Sequence, residues 1–270
     1  FGSRLKLVLR PSVRKRWVAG AMDAARLQRR VRRRQLEACS GAGRPLAQPT
    51  RLAVLAALVA ALVCPGKLPR AAVSPAVAAV RKGAGPDDRV LVMNKMCPFA
   101  QRAWFALEES GLGFKLEETS LGSSLVYSLN SRGLVPILVD TDGTVTVESE
   151  DIVDVIARSS ARITEGSSAD AEIRQLVNGR LLPAGKKAKL FGGAGDVEPI
   201  LRELEGKIVG PYMTGDGISV ADLSAAPMLQ RMFEDKMVPS GLSMLHAWWE
   251  AVRARPGFRK TVVRSYWWWW

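Results

Sequence analysis

The 270-residue sequence predicts an α/β domain built on a mixed four-stranded sheet, followed by an all-α domain. Three observations carry that expectation. From Asp88 to about residue 165, short strand-like runs alternate with helical runs in the order β-α-β and then β-β-α. Beyond Gly166 every long periodic stretch has helical spacing and none reads as a strand. Residues 1–86 differ from both parts in composition and carry no such pattern, so the folded body is expected to begin at residue 87.

Taken in order, "RVLVM" (Arg89–Met93) is an apolar, β-branched run of strand length. "PFAQRAWFALEESG" is a helix, with Pro98 in its first turn and Gly111 as its stop. "FKLEETS" (Phe114–Ser120) alternates and makes a second strand, parallel to the first if the helix is the usual crossover. After a polar stretch, "VPILVD" and "TVTVES" flank Thr141-Asp142-Gly143, and Asp-Gly between two alternating runs is a hairpin signal. The helix "SEDIVDVIARSS" closes the unit, whose element order is that of a thioredoxin-like domain over 87–165. Residues 166–264 form the all-helical domain and 265–270 a Trp-rich tail.

The formal net charge of +13 suggests an anionic partner until its position is examined. Residues 1–86 hold 18 Lys+Arg and two acids, Asp23 and Glu37, whereas the remainder holds 21 basic and 24 acidic residues. The basicity therefore belongs to a leader. "RLQRRVRRRQLEA" fits a transit-type sequence or a basic arm. Leu52–Cys64 is an apolar run of 13 residues, against the roughly 20 needed to span a bilayer. Small residues at Ala76 and Ala78 and the Gly/Pro punctuation after them place a processing site or linker near Ala76–Pro86. The leader resembles the multipart presequences of plastid-targeted proteins, so plastid is the expected location and cytoplasm the alternative. A disordered Arg-rich tail with one surface-docked helix is an equal reading. No nucleic-acid partner is expected, because the basic runs lack aromatic interleaving that would stack bases.

Cys97 stands directly before Pro98, at the junction of the first strand and its helix. Unpaired backbone N–H groups and the positive end of the helix dipole favour thiolate there. Pro98 removes a surplus N–H and presets φ, Phe99 belongs to the same first turn, and Lys95 adds a cation. The expectation is a lowered pKa and a nucleophilic thiol; a small buried hydrophobe is the competing reading.

"CPFAQR", "GLVPIL" 36 residues after the cysteine and "ESEDI" shortly beyond, with an all-helical second half, resemble the cysteine-type glutathione transferases of the omega, lambda and dehydroascorbate reductase classes. The resemblance covers residues 89 to about 262. It implies that Cys97 is the catalytic residue, and that glutathione is the co-substrate with no metal. It implies too that Val135 pairs its backbone with the cysteinyl part of glutathione and that Pro136 follows a cis bond. Glu148 would meet the γ-glutamyl amine and Ser149 its carboxylate. Two departures stand out. Ala100 occupies the place of a resolving cysteine, so a redox cycle here is monothiol and needs an external thiol. The segment "SLGSSLVYSLNS" carries no cation for the glycine carboxylate, leaving Arg132 as the nearest substitute.

Elsewhere, Ser219 and Asp222 have capping-box spacing and are assigned to folding. Trp248, Trp249 and Phe258 read as core, and the single histidine, His246, as structural. "GGAG" at Gly192–Gly195 reads as a loop. With Cys39 and Cys64 in the leader, Cys97 is the one thiol of the body, which argues for a reducing compartment.

Three functions follow. The first is a glutathione-dependent thioltransferase or dehydroascorbate reductase, acting on a small molecule or a glutathionylated protein. The second is a binding module with an idle thiol, associated with a complex or membrane through the leader or the Trp tail. The third, conjugation of electrophiles, fits a cysteine poorly, because a cysteine captures glutathione as a disulfide. Monomer and homodimer both remain open.

Overall fold

Runs of Val, Ile and Leu place two short strands at the centre of the sheet, where both faces can be buried. In the computed structural model, which describes residues 74–191 and 197–263, β1 (Arg89–Met93) pairs in parallel with β2 (Phe114–Glu118). On its other side β1 pairs antiparallel with β3 (Ile137–Val139), which pairs antiparallel with β4 (Val145–Val147), giving the order β2-β1-β3-β4. The expected hairpin joins β3 to β4, with Gly143 at φ 90° and the Asp140 N–H donating to Thr144 O at 2.8 Å. Strand β2 ends two residues before its expected limit at Ser120.

Alternation along the strands separates two cores. Val90, Val92, Ile137 and Val139 face one way and pack with Val77, Val80, Val126 and Val135. Leu91, Met93 and Leu138 face the other way and join a larger core shared with the helices. Helix α1 (Pro75–Arg81) falls inside the segment expected to be leader, yet it covers the first face. Its Val77 and Val80 are buried, the Ser74 hydroxyl accepts from Val77 N–H at 3.3 Å, and Arg81 Nη1 donates to Asp140 O at 2.7 Å. The body thus starts before residue 87. Two buried valines in "PAVAAVR" are enough to seat a helix once a sheet face is available to it. The rest of the leader, the Gly192–Gly195 loop and the Trp-rich tail lie outside the described residues.

Helix α2 (Pro98–Ser110) crosses from β1 to β2 and ends at Gly111, whose φ of 72° is the left-handed conformation that glycine adopts without penalty. A short α3 (Ser124–Leu129) lies within the stretch read as merely polar. Ser123 caps it, and its buried Val126, with Leu125 and Leu129 partly buried beside it, packs on the first core. Helix α4 (Ser149–Arg158) follows β4 and packs against α2.

Among the described residues every regular element of the second half is helical: α5 (Ser168–Leu176), a π-helical turn (Val177–Leu181), α6 (Leu182–Phe191), α7 (Glu198–Glu205), α8 (Val220–Glu234), α9 (Ser243–Ala254) and α10 (Pro256–Thr261). Helix α8 packs against α2, α4, α5 and α9 and is the spine of the junction. Its start is closed as the sequence predicts. Asp222 Oδ2 accepts from Ser219 N–H and Oγ at 2.8 and 2.9 Å, and Oδ1 accepts from Trp248 Nε1 at 2.7 Å and Met213 N–H at 2.9 Å. Trp248 and Phe258 are buried, whereas Trp249 is half-buried and stacks on Phe233 with ring centroids 5.1 Å apart. His246 turns Nε2 to Pro239 O at 3.0 Å and sits edge-on to Phe233, a packing role.

Candidate active site

Cys97 is the N-cap residue of α2, with extended backbone at φ −82° and ψ 118° and Pro98 in the first turn. Its side chain is half-buried and touches both cores, the one on the α1 face and the one shared with the helical half. The sulfur lies 3.9 Å from Val135 O, so the loop before β3 closes over it. The Val135–Pro136 peptide is cis. Val135 is outside the ladder, whose rungs on β3 begin with Ile137 opposite Val147.

The thiol's ionisation departs from expectation. Burial pushes Cys97 above its ordinary value, and this outweighs the backbone N–H groups of Ala100 and Phe99 and the charges of Arg231 and Arg102, all of which pull it down. The two N–H groups act here as oriented dipoles, since the sulfur makes no capping hydrogen bond. Lys95 is not among these influences. Its ammonium pairs with Glu118 at 2.7 Å, at the end of β2, so the expected cation is neutralised and two unanticipated arginines replace it.

Glu148 and Ser149 lie at the start of α4. Glu148 is its N-cap residue, at φ 69° and ψ 124°, a backbone conformation that costs a non-glycine residue about 1–3 kcal/mol and that is found where geometry is imposed by a site. Its carboxylate is not free, because Arg132 Nη1 donates to Glu148 Oε1. Arg132, the expected substitute for the absent lysine, is therefore spent on Glu148. With side chains 63% and 54% exposed, this pair is worth about 0.2–1 kcal/mol, little enough for an incoming ligand's charges to exchange with it.

Directly after Ser149, Glu150 ties this helix start to the helical half. Its Oε1 accepts from Arg102 Nη1 at 2.7 Å and Asn178 Nδ2 at 2.9 Å, and its Oε2 accepts from Ser224 Oγ at 2.8 Å and from Arg174 Nε. Arg174 Nη2 reaches Glu150 O at 3.0 Å as well, and its Nη1 holds Asp154 at 2.7 Å. Burial alone would raise the Glu150 carboxyl, but Arg102 and Arg174, with the hydroxyl of Ser224 and the amide of Asn178, hold it below the usual carboxylate range. The partner Asn178 is supplied by the π-helical turn, a departure from regular helix that is frequent at functional sites. Sequence reading missed this network. Its one visible signal was a charged Arg102 on the apolar face of a helix otherwise buried along most of its length.

Two cavities lie away from Cys97. One of about 250 Å³ is lined by residues that include Asp154, Ser167 and Arg174, and one of about 460 Å³ by residues that include Glu172, Arg180 and Lys207. Neither is lined by Cys97 or by another residue of the expected site. Among the described residues no group of three His, Cys, Asp or Glu could hold a metal ion, and no helix is long and apolar enough to cross a membrane.

Comparison with known proteins adds to this geometry. The family profile "Glutathione S-transferase, N-terminal domain" matches residues 96–159, and "Glutathione S-transferase, C-terminal domain" matches 176–256. A probable glutathione S-transferase from Oryza sativa subsp. japonica, DHAR1, cytosolic, is 30% identical over 183 residues, covering 61% of this chain and 83% of that protein. Glutathione S-transferase DHAR3, chloroplastic, from Arabidopsis thaliana is 27% identical over 192 residues, covering 64% of this chain and 72% of that one. Glutathione transferase Omega 3C from Trametes versicolor superposes with a TM-score of 0.59 at 23% identity, covering 71% of this chain and 91% of that structure, a likeness of fold.

Proposed function

The chain belongs to the glutathione S-transferase family, on its cysteine-type, omega- and DHAR-like side, and from that premise we propose that it is a glutathione-dependent thiol transferase whose single nucleophile is Cys97. The observation that carries this reading is the position of Cys97: a half-buried thiol at an uncapped helix start, with the backbone before cis-Pro136 closing over its sulfur. In the first step the Cys97 thiolate attacks the glutathionyl sulfur of a mixed disulfide, forming the Cys97–glutathione disulfide as the partner sulfur leaves as a thiolate. In the second step a glutathione thiolate attacks the glutathionyl sulfur of that adduct, releasing oxidised glutathione and returning the Cys97 thiolate. With dehydroascorbate, Cys97 adds to a carbonyl carbon. One glutathione thiolate then attacks the Cys97 sulfur, ascorbate leaves with the electron pair, and a second glutathione frees the enzyme as oxidised glutathione forms. Ala100 provides no internal resolving thiol, so the disulfide cycle consumes one free glutathione and the dehydroascorbate cycle two.

Glutathione is held by the Val135 backbone at its cysteinyl part and by Glu148 and Ser149 at its γ-glutamyl end. Arg132 exchanges from Glu148 to a ligand carboxylate as it binds. The test is intact mass after incubation with oxidised glutathione. One glutathione on Cys97, located by peptide mass so that Cys39 and Cys64 are read apart, and none at that position in Cys97→Ser, is the expected result. Binding of glutathione with no adduct on the parent chain would favour the binding-module reading instead.

Location follows the leader. Relatives include both chloroplastic and cytosolic proteins, and the basic, acid-poor segment before residue 74 supports plastid import. Residues 1–86 fused to a fluorescent protein should enter plastids, and a cytosolic signal would reverse the assignment.

A further inference from the structure

Two buried arginines stand behind the nucleophile, one from each half of the molecule. Arg102, on α2, is 1% exposed, and Arg231, on α8, is 3% exposed. Both are held rigidly. Arg102 donates to Glu150 Oε1 at 2.7 Å and to Asn178 Oδ1 at 2.6 Å, and its guanidinium carbon lies 5.2 Å over the Phe99 ring. The Arg102 Nε is buried without an acceptor among the described residues. Arg231 Nη1 donates to Gln101 Oε1 at 2.6 Å and to Pro227 O at 2.7 Å. Gln101 in turn belongs to the first turn of α2, where its own N–H donates to Cys97 O at 3.0 Å. Arg231 therefore reaches across from the helical half to the turn that Cys97 begins.

Two buried like charges disfavour each other, and only negative charge offsets that cost. Burial is the largest cause that lowers each arginine to about 10, helped by the charge of Arg174 at Arg102 and by that of Arg102 at Arg231; Glu150 supports Arg102, Glu234 supports Arg231, and Cys97 supports both. Glu150 is shared, because Arg174 binds it too and is itself bound to Asp154. Lys95 is occupied by Glu118. Both guanidinium charges favour the Cys97 thiolate, as smaller influences than its burial and the N–H groups of Ala100 and Phe99.

We propose that Arg102 and Arg231 are positioning residues that favour the thiolate of Cys97, one cation contributed by each half, so that the thiol ionises more readily where helix α8 is docked on α2. The inference rests on the reading of Cys97 as nucleophile. The helical half then does more than border a second-substrate pocket: it provides half of the counter-charge for a thiol whose proton leaves to solvent.

The experiment measures the rate at which iodoacetamide alkylates Cys97 in the full chain between pH 5 and 10, read by peptide mass so that Cys39 and Cys64 do not interfere. In Arg231→Gln and in Arg102→Met the rise of the rate should move to higher pH, with alkylation at pH 7 about tenfold slower and the high-pH plateau unchanged. Arg231→Lys, which keeps a cation, should stay near the parent. A parent-like profile in a folded Arg231→Gln or Arg102→Met overturns the proposal. So does a lowered plateau without displacement, which marks a structural effect on access. Should neither variant fold, Gln101→Leu releases Arg231 while keeping its charge in the protein; a displaced profile is expected and an unmoved one overturns the idea. Turnover of Cys97→Ser separates the two levels. Retained turnover in Cys97→Ser sinks the nucleophile reading whatever the arginine variants show, whereas lost turnover with unmoved profiles sinks only the arginine proposal.

Discussion

Helices α2 and α8 both begin inside the protein, and their first turns are finished in opposite ways. At the start of α8, Asp222 is fully buried and its two oxygens take four donors, from Ser219 N–H and Oγ, Met213 and Trp248. The Ala221 N–H of the same turn is answered by Asp170 Oδ1 at 3.3 Å. At the start of α2, Cys97 makes no capping hydrogen bond, Pro98 supplies no donor, and the sulfur is left half-buried beside Val135. A helix end whose polar groups are satisfied by its own side chains is finished as structure, whereas one left open keeps its dipole available for a charge that comes and goes. The first is what burial demands; the second is tolerable only at a surface or a site.

Exchange of the open end should have the largest effect on function. Cys97→Ser should lower glutathione-disulfide exchange by about a thousandfold or more with little change in thermal stability, as followed by steady-state turnover and thermal melting. The closed end should answer in the opposite currency. Asp222→Ala strands the Trp248 and Met213 donors and should destabilise by about 2–4 kcal/mol in denaturant unfolding, while the pH profile of Cys97 alkylation stays in place in the protein that remains folded.

A third substitution converts one end into the other. Aspartate is among the best N-cap residues, so Cys97→Asp should stabilise by about 0.5–2 kcal/mol while abolishing thiol chemistry; a loss of stability would show that burial at this position, not capping, dominates. The smallest effect is the pH dependence at the junction. Glu150 sits below its unfolded value, so its contribution is present above that value and is lost as pH falls through the folded one. Cys97 sits above its unfolded value, so its contribution is present at lower pH and is lost as pH rises through the folded one. Glu150→Gln should flatten the acid limb of a stability-versus-pH curve and Cys97→Ser the alkaline limb, and an unchanged limb in either variant would remove that residue from the account.

The sheet, the long helices and the position of Cys97 were legible because each rests on local rules: β-branched runs for β1 and β3, Asp142-Gly143 for the hairpin, and proline and glycine at the two ends of α2. Helices α1 and α3 were not, since six or seven residues hardly form a helix unaided and these two exist because Val77, Val80 and Val126 find a sheet face. The site divided along the same line. Cys97 stood out by its place before Pro98, and Val135, Pro136, Glu148 and Ser149 were expected through the resemblance of the motifs that hold them, whereas Arg231 lies 134 residues after Cys97 and meets its turn only through the fold. The thiol's ionisation was misjudged for a related reason, because the helix dipole can be read locally and burial cannot.

Helix α1 also fixes the order of events in the life of the chain. The small residues Ala76 and Ala78, which would suit a processing peptidase, flank Val77, and Val77 is packed against the sheet. Peptidases bind their substrates extended, so a cut between them requires that α1 be unwound and its contacts with Val90, Val92 and Val139 be given up. A cut at that point would have to precede the folding of this segment, whereas a cut upstream of Ser74 would leave the folded protein its first helix.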